Sequence, residues 1–231
     1  MIRVFIGYDE REAAAFSVLS YSIHARASEP VSITPVMLSE LKGLYRREPS
    51  ALASTEFSFS RFFTPYLCDY EGWAIFTDND MLVLDDIANL WKLHDERYAV
   101  QVVKHYHVPK EETKFLGKVQ TKYQKKNWSS VMLLNCARCK ALTPEYVNGA
   151  SGLELHQFKW LESEELIGEL PSKWTHLVGY GAPRKDASLV HFTIGGPYFE
   201  EYRDCEYAAE WFAEQQKMNK VQQRAKALAA S

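Results

Sequence analysis

Two carboxylates interrupt an apolar part of this 231-residue chain. Residues 74–76 and 81–84 form apolar runs typical of buried strands, and Asp78 and Asp80 lie between them. Residues two apart on an extended backbone project to the same side, so both carboxylates can face one point. Burying two charges is costly unless they are neutralised, and Mg²⁺ and Mn²⁺ prefer oxygen ligands. The spacing favours a metal site; the alternative is a plain turn containing Asp78 and Asn79.

The first loop of the chain is a second candidate site. Gly7, Tyr8 and Asp9 follow the apolar run 2–6. Ligands bind beyond the carboxyl ends of the strands in parallel sheets, which is where this loop would lie. Asp9 followed three residues later by Glu12 is also the pattern of a helix cap. Both interpretations of Asp9 stay open.

A single arginine, Arg61, lies in the apolar segment 57–67, which we predict to be helical. A lone arginine in such surroundings usually pairs with an anion. The partner would be a carboxylate of the Asp78/Asp80 strand or a phosphate.

Two histidines are candidates for binding a polar ligand. His191 lies in the apolar run 189–192, just before Gly195 and Gly196. A histidine at a strand end is well placed to bind a metal, and glycines let backbone N–H groups approach phosphate oxygens closely. A structural histidine is the alternative.

The other histidine, His156, is followed by Gln157 in a predicted helix over residues 153–161. Both polar residues stand between bulky apolar ones. A solvent-exposed pair is the alternative to a role in a site.

The elements that must position these residues alternate between strand and helix. Pro35 in the second apolar run predicts an edge strand or a strand end, and Thr143-Pro144 predicts a helix start. The order of strand, helix and strand at the start predicts a parallel sheet. The predicted strands are residues 2–6, 31–38, 74–84, 98–103, 129–134 and 189–192. A helix is predicted from residue 201 to the end.

Composition excludes several classes of partner and location. The net charge of -3 gives no reason to expect nucleic acid. No apolar run approaches the roughly 18 residues of a membrane span, and no basic leader precedes the first strand, so we expect a cytoplasmic protein. Of the four cysteines, Cys136 and Cys139 form a Cys-x-x-Cys with no second pair, which favours reduced, structural thiols.

The lysine-rich segment 104–126 has little apolar periodicity. It is typical of a solvated loop. The alternative is a mobile lid that excludes water once substrate is bound.

Taken together and in order, these motifs resemble the family-8 glycosyltransferases, which are retaining enzymes with the GT-A fold. The likeness covers residues 2–199. Gly196 stands where that family has a phosphate-binding lysine, Tyr198 replaces a tryptophan, and His156 replaces an acidic residue that binds the donor sugar. The matching segments are residues 4–9, 60–67, 73–86, 129–135, 156–157, 170–174 and 191–198.

The resemblance implies an α/β fold: a GT-A (Rossmann-like) single domain with a mixed, mostly parallel central sheet flanked by helices and a helical C-terminus. Residues 1–200 would form the catalytic domain and residues 201–231 its helical extension. The implied activity is metal-dependent transfer of a hexose, with retention, from a nucleotide sugar such as a UDP-sugar to a glycan or other hydroxyl acceptor.

The same resemblance implies a set of site residues. Asp78, Asp80 and His191 would bind Mn²⁺ or Mg²⁺, and Gln157 with His156 would act at the sugar. The implied donor-binding residues are Gly7, Tyr8, Asp9, Arg61, Asp78, Asn79, Ser129, Ser130, Gly195 and Gly196.

Two other functions stay open at this point. One is a non-catalytic module that binds sugar nucleotides or glycans, which the changes at Gly196 and His156 favour. The other is a phosphatase of the haloacid-dehalogenase type, whose Asp-x-Asp ends its first strand; here the motif comes later and Met81 follows it.

Overall fold

The structure is a computed structural model that describes residues 1–48, 55–106, 113–119 and 123–229. The strands are β1 (Ile2–Gly7), β2 (Val31–Val36), β3 (Trp73–Thr77), β4 (Met81–Val83), β5 (Val100–Val102), β6 (Thr113–Lys114), β7 (Lys118–Val119), β8 (Val131–Asn135), β9 (Ile167–Glu169), β10 (His176–Leu177) and β11 (Leu189–His191). The α-helices are α1 (Ala13–Arg26), α2 (Phe57–Ser60), α3 (Thr64–Leu67), α4 (Ile87–Trp91), α5 (Pro144–Gly149), α6 (Gly152–His156) and α7 (Ala208–Ala229).

Six strands form the central sheet in the order β2-β1-β3-β8-β5-β9. Strand β1 pairs in parallel with β2 and with β3, and β5 pairs in parallel with β9, whereas β8 is antiparallel to both of its neighbours. The predicted mixed, mostly parallel sheet is therefore confirmed. Strand β2, which carries Pro35, lies at the edge, where a missing N–H donor is tolerated.

Alternation along the central strands divides the core between the two faces of the sheet. Phe76 and Met132, which are register partners on β3 and β8, pack in a cluster with the aromatic residues of segment 57–67. Their neighbours Ile75 and Leu133 pack on the opposite face with Leu19 of α1. Both faces are apolar because both are covered by helices.

A smaller sheet of order β10-β11-β4 joins the carboxyl end of β3. The chain leaves the central sheet after Thr77 and enters β4 at Met81. Strand β4 is antiparallel to β11, with Met81 opposite His191. The short connection between the two sheets therefore carries Asp78, Asn79 and Asp80.

Segment 57–67 is helical, as predicted: α2 and α3 are joined by a 3₁₀ turn over Arg61–Phe63. The predicted helix over 153–161 was wrong at its end. Ser151 and Glu154 form a capping box that starts α6, but the helix ends at His156. Phe158 then adopts a left-handed backbone (φ 59°) with its side chain buried, so the helix cannot continue.

The C-terminal helix packs against the first helix. Arg26 of α1 forms an ion pair with Glu214 of α7 at 2.8 Å, and Trp211 of α7 is buried. The long helix begins at Ala208, later than the predicted residue 201, after a 3₁₀ turn at Glu200–Tyr202. Among the described helices, none combines the length and apolarity needed to cross a membrane.

The cysteines are all free thiols. Cys139 donates hydrogen bonds to the carbonyl oxygens of Asn135 (3.2 Å) and Ala99 (3.4 Å). Burial raises the pKa of Cys139 to about 12, so this thiol stays protonated at neutral pH. The geometry agrees with the structural interpretation of the Cys-x-x-Cys.

Candidate functional site

The connection between the two sheets holds the predicted carboxylates in place. The backbone N–H of Asp78 donates to the carbonyl of Ser130 at 2.9 Å, and the carbonyl of Asp80 accepts from the N–H of Phe192 at 2.9 Å. The chain is thus fixed to β8 on one side and to β11 on the other. This double attachment brings residues from three distant parts of the sequence to one point.

His191 joins the two aspartates because β11 pairs with β4. Its Nε2 lies 3.3 Å from Oδ1 of Asp80 and 3.9 Å from Oδ2 of Asp78. One ligand atom from each of the three residues lies within 4.8 Å of the others, and all three side chains are buried. The predicted metal-ligand set is therefore assembled.

The donor atoms of this cluster fit a divalent cation. Among the described residues, no group makes a hydrogen bond with Oδ1 of Asp80 or with Nδ1 of His191. A buried carboxylate oxygen without a donor is expensive, and a bound cation removes that penalty. Two carboxylates and an imidazole are ligands that Mn²⁺ accepts, and carboxylates also suit Mg²⁺.

Arg61 is the buried counter-ion of Asp78. Its Nη1 lies 2.7 Å from Oδ1 of Asp78 and donates to the carbonyl of Ser129 at 2.9 Å. Its Nε donates to the carbonyl of Phe57 at 3.2 Å, which fixes the guanidinium to its own helical segment. The expectation that this arginine pairs with an anion is met by a carboxylate of the Asp78/Asp80 connection.

A cavity of about 850 Å³ opens over this cluster. That volume is in the range of pockets that bind small molecules and cofactors. Of the predicted site residues, the cavity is lined by Arg61, Asp78, Asp80, Ser129, Ser130, His156 and His191.

Ser129 and His156 form a pair inside the cavity. Oγ of Ser129 and Nδ1 of His156 are 2.7 Å apart. The imidazole packs edge-on against the ring of Phe62 (centroids 5.2 Å apart) and lies 6.0 Å from the ring of Tyr123. This polar pair lies between aromatic rings, and such an arrangement can form hydrogen bonds with the hydroxyl groups of a ligand.

The first loop lies outside the lining of this cavity. A Cβ at Gly7 would overlap the ring of Phe57, so close packing explains that glycine. Asp9 caps the 3₁₀ turn Glu10–Glu12 by accepting from the N–H of Arg11 at 3.1 Å. It also accepts from Nε of Arg11 and from the N–H of Glu56. Tyr8 packs edge-on against Phe16.

Four other predicted residues are also absent from the cavity lining. Asn79 is fully buried, and Gln157 caps α6, where its carbonyl accepts from Nζ of Lys125 at 3.0 Å. A Cβ at Gly195 would overlap the ring of Tyr202, and one at Gly196 would overlap the ring of Tyr198. Aromatic packing thus accounts for both glycines, and their approach to phosphate stays a prediction.

The cavity residues that sequence reasoning missed include Tyr123 and Lys126. Both lie in the segment 104–126 that was predicted to be a loop or lid; its residues 107–112 and 120–122 are outside the described residues. Burial raises the pKa of Tyr123 to about 12. The sequence contains no signal that separates Lys126 from the neighbouring lysines, so its position is a product of the fold.

No family model matches the chain. Protein CDI of Arabidopsis thaliana is 50% identical to it over 227 residues, which make up 94% of this chain and 87% of that protein. The chain belongs to the CDI family. That name states no activity, so the chemistry has to be argued from the site.

Solved structures share the fold of this CDI-family chain. GlyE of Streptococcus pneumoniae TIGR4, a glycosyltransferase, matches with a TM-score of 0.61 at 12% identity over 97% of this chain. An active-site mutant of LgtC matches with a TM-score of 0.59 at 13% identity over 94% of this chain and 95% of LgtC. LgtC is a galactosyltransferase that has also been solved with donor and acceptor sugar analogues.

The bifunctional glycosyltransferase WbbM matches with a TM-score of 0.59 at 14% identity over 95% of this chain. The CDI-family chain spans 51% of WbbM and 63% of GlyE. At these identities the likeness establishes the GT-A fold.

Proposed function

We propose that this chain is a metal-dependent glycosyltransferase of the family-8 type. It transfers a hexose from a nucleotide sugar, most simply a UDP-sugar, to a hydroxyl of a glycan or other acceptor. The observation that carries the proposal is the buried Asp78–Asp80–His191 cluster, which opens into a large cavity of a GT-A fold.

Asp78, Asp80 and His191 would hold Mn²⁺ or Mg²⁺. When bound, the cation supplies Lewis-acid neutralisation of the negative charge that grows on the departing diphosphate. The protein orients these ligand residues before the donor binds. Arg61 fixes the orientation of Asp78 at 2.7 Å, so little reorganisation is needed at the moment of reaction.

The sugar of the donor would lie against the Ser129–His156 pair. Ser129 is oriented twice, through its carbonyl by Arg61 and through its hydroxyl by His156. A hydroxyl held in this way distinguishes sugars by the position of their own hydroxyl groups, because an unmatched buried polar group is penalised. We further propose that Gly7, Tyr8, Ser130 and the loop of Gly195 and Gly196 belong to the donor-binding surface, whereas the carboxylate of Asp9 caps the 3₁₀ turn Glu10–Glu12.

The proposal is tested first with nucleotide alone. The affinity for UDP, measured by calorimetry with Mn²⁺, should fall strongly when the metal is removed by a chelator. UDP affinity that does not respond to the chelator would contradict the metal assignment.

Turnover separates an enzyme from a binding module. A panel of nucleotide sugars is incubated with Mn²⁺, and nucleotide release is measured. Metal-dependent UDP binding without release from any donor would instead support a non-catalytic module. If an acceptor is found, the anomeric proton coupling in NMR should show an α-linked product from an α-linked donor, because the proposed mechanism is retaining.

Gln157 is the proposed polar group beneath the anomeric carbon. Because an amide is a poor nucleophile, it would stabilise an oxocarbenium-like transition state by its dipole. Gln157→Ala should lower kcat by about 10- to 1,000-fold, as expected for the loss of one preorganised polar group. The KM for the donor should change little, because the interaction is made in the transition state.

Unchanged kcat in Gln157→Ala would remove this residue from the mechanism. Retention of configuration could still hold in that case. A fall in melting temperature would point instead to its place at the end of α6.

A further inference from the structure

The turn before β8 places two adjacent lysines in different environments. Lys125 and Asn127 both have left-handed backbones, with φ of 60° and 65°. Such conformations are uncommon for residues other than glycine and occur often at ligand sites. Between them, Lys126 is buried and lines the cavity.

Lys125 is not among the residues that line the cavity. Its Nζ lies 2.7 Å from Oε1 of Glu164 and donates to the carbonyl of Gln157 at 3.0 Å. Lys126 instead has its Nζ 5.0 Å from the centroid of Tyr123, a ring that also contacts His156. The two lysines therefore differ in surroundings although they are adjacent in sequence.

Lys126 is also connected to the metal cluster through the chain. The 3₁₀ turn Trp128–Ser130 follows it, and the carbonyl of Ser130 accepts the N–H of Asp78. The turn that carries Lys126 is thus attached to the backbone of a proposed metal ligand.

The charge of the cluster leaves room for one more cation. Asp78, Asp80 and Arg61 together carry one net negative charge, which a divalent cation would convert into one net positive charge. The diphosphate of a nucleotide sugar carries two negative charges. Lys126 would supply the positive charge that balances the second phosphate, in a buried place where such interactions are little screened.

The other basic side chains of the cavity are less suited to this task. Arg47 donates to the carbonyls of Val147, Asn148 and Ala150. Arg46 is largely exposed and lies 3.7 Å from Glu145. Arg46 is exposed and Arg47 is half-buried, whereas Lys126 is buried.

We propose that Lys126 binds the diphosphate of the nucleotide-sugar donor and neutralises it together with the metal cluster. This inference rests on the proposed function, because it assumes that the donor is a nucleotide sugar. It assigns the phosphate-binding cation to the turn before β8, whereas the loop after β11 carries Gly196 at the corresponding place.

The test compares Lys126→Met with the matched control Lys125→Met. The affinities for UDP and for uridine are measured by calorimetry or NMR in Mn²⁺. Lys126→Met should weaken UDP binding by about 10- to 100-fold, the effect of losing one charge-assisted interaction, and leave uridine binding unchanged. Lys125→Met should leave both affinities unchanged. Affinity is measured instead of kcat because Lys125 donates a hydrogen bond to the carbonyl of Gln157, which is a proposed catalytic residue. Replacing Lys125 would therefore act on kcat for a reason unrelated to the diphosphate.

Lys126→Arg, which keeps the charge, should retain most of the UDP affinity and shows whether the turn tolerates substitution. If Lys126→Met is not folded, Lys126→Gln takes its place. UDP affinity equal to wild type in a folded charge-removing variant overturns the inference. A loss of affinity that occurs only with donors whose sugar carries a carboxylate also overturns it, because Lys126 would then bind the sugar and not the diphosphate. Both of those results leave the proposed function standing, whereas a wild-type chain that does not bind UDP in Mn²⁺ refutes the proposed function itself.

Discussion

Two buried aspartate sites lie at the carboxyl ends of neighbouring parallel strands, and they differ in what their oxygens contact. Asp9 follows β1, and its carboxylate accepts hydrogen bonds from Arg11 and from the N–H of Glu56. Asp80 follows β3, and in the described part of the molecule no donor bonds to its Oδ1.

The difference shows how a structural carboxylate is distinguished from a ligand-binding one. Both aspartates are buried, and both have a basic residue nearby, so residue type and burial do not separate them. What separates them is that Oδ1 of Asp80 has no hydrogen bond among the described residues and belongs to a residue that lines the cavity, where a cation can reach it. By the same criterion His191 belongs with the ligand-binding residues, because its Nδ1 has no hydrogen bond among the described residues. Asp9 is a structural residue that caps a turn.

The largest expected effect comes from Asp80→Asn. The change removes an anionic ligand while keeping the shape, so metal-dependent UDP affinity and kcat should each fall by about 100-fold or more. Stability in the absence of metal should stay equal or rise, because one of two adjacent buried carboxylates has lost its charge. Calorimetry with Mn²⁺ and UDP, and thermal unfolding with a chelator, measure the two effects. A lower melting temperature with intact UDP binding would show that Asp80 stabilises the fold and does not bind the metal.

Asp9→Asn should show the opposite behaviour. Asparagine keeps the capping oxygen but loses the charge that pairs with Arg11, so we expect a loss of about 1–2 kcal/mol in the free energy of unfolding. Metal-dependent UDP binding should be unaffected. Chemical denaturation measures the first quantity and calorimetry the second. Weakened UDP binding at unchanged stability would move Asp9 into the donor site and remove the contrast.

The smallest effect is the pH dependence of that difference. Burial alone would raise the pKa of Asp9, but the hydrogen bonds from Arg11 and Glu56 outweigh it and lower the pKa. A lowered pKa in the folded state means that the ionised carboxylate stabilises the fold above the unfolded-state pKa of about 4. The advantage of wild type over Asp9→Asn should therefore be constant near neutral pH and shrink as the pH falls below about 4.

Much of the fold could be predicted from the sequence because local rules decide it. Apolar runs identified five of the six strands of the central sheet, all except β9; Pro35 marked its edge, and Thr143-Pro144 marked the start of α5. The end of α6 could not be predicted, since Phe158 continues the apolar pattern of a helix. Its left-handed backbone is stabilised by burial of its ring, which is a tertiary contact.

The site divides in the same way. The sequence by itself determined that Asp78 and Asp80 can face one point, because period-two geometry belongs to any extended chain. Only the tertiary structure decided which distant residues join them: pairing of β4 with β11 brings His191 to Asp80, and Arg61 reaches Asp78 from a separate helical segment. The fold also gives Lys126 different surroundings from Lys125, and Asp80 different surroundings from Asp9. Charge and residue type are properties of the sequence, but unused bonding capacity next to a cavity depends on every neighbour that packing brings near.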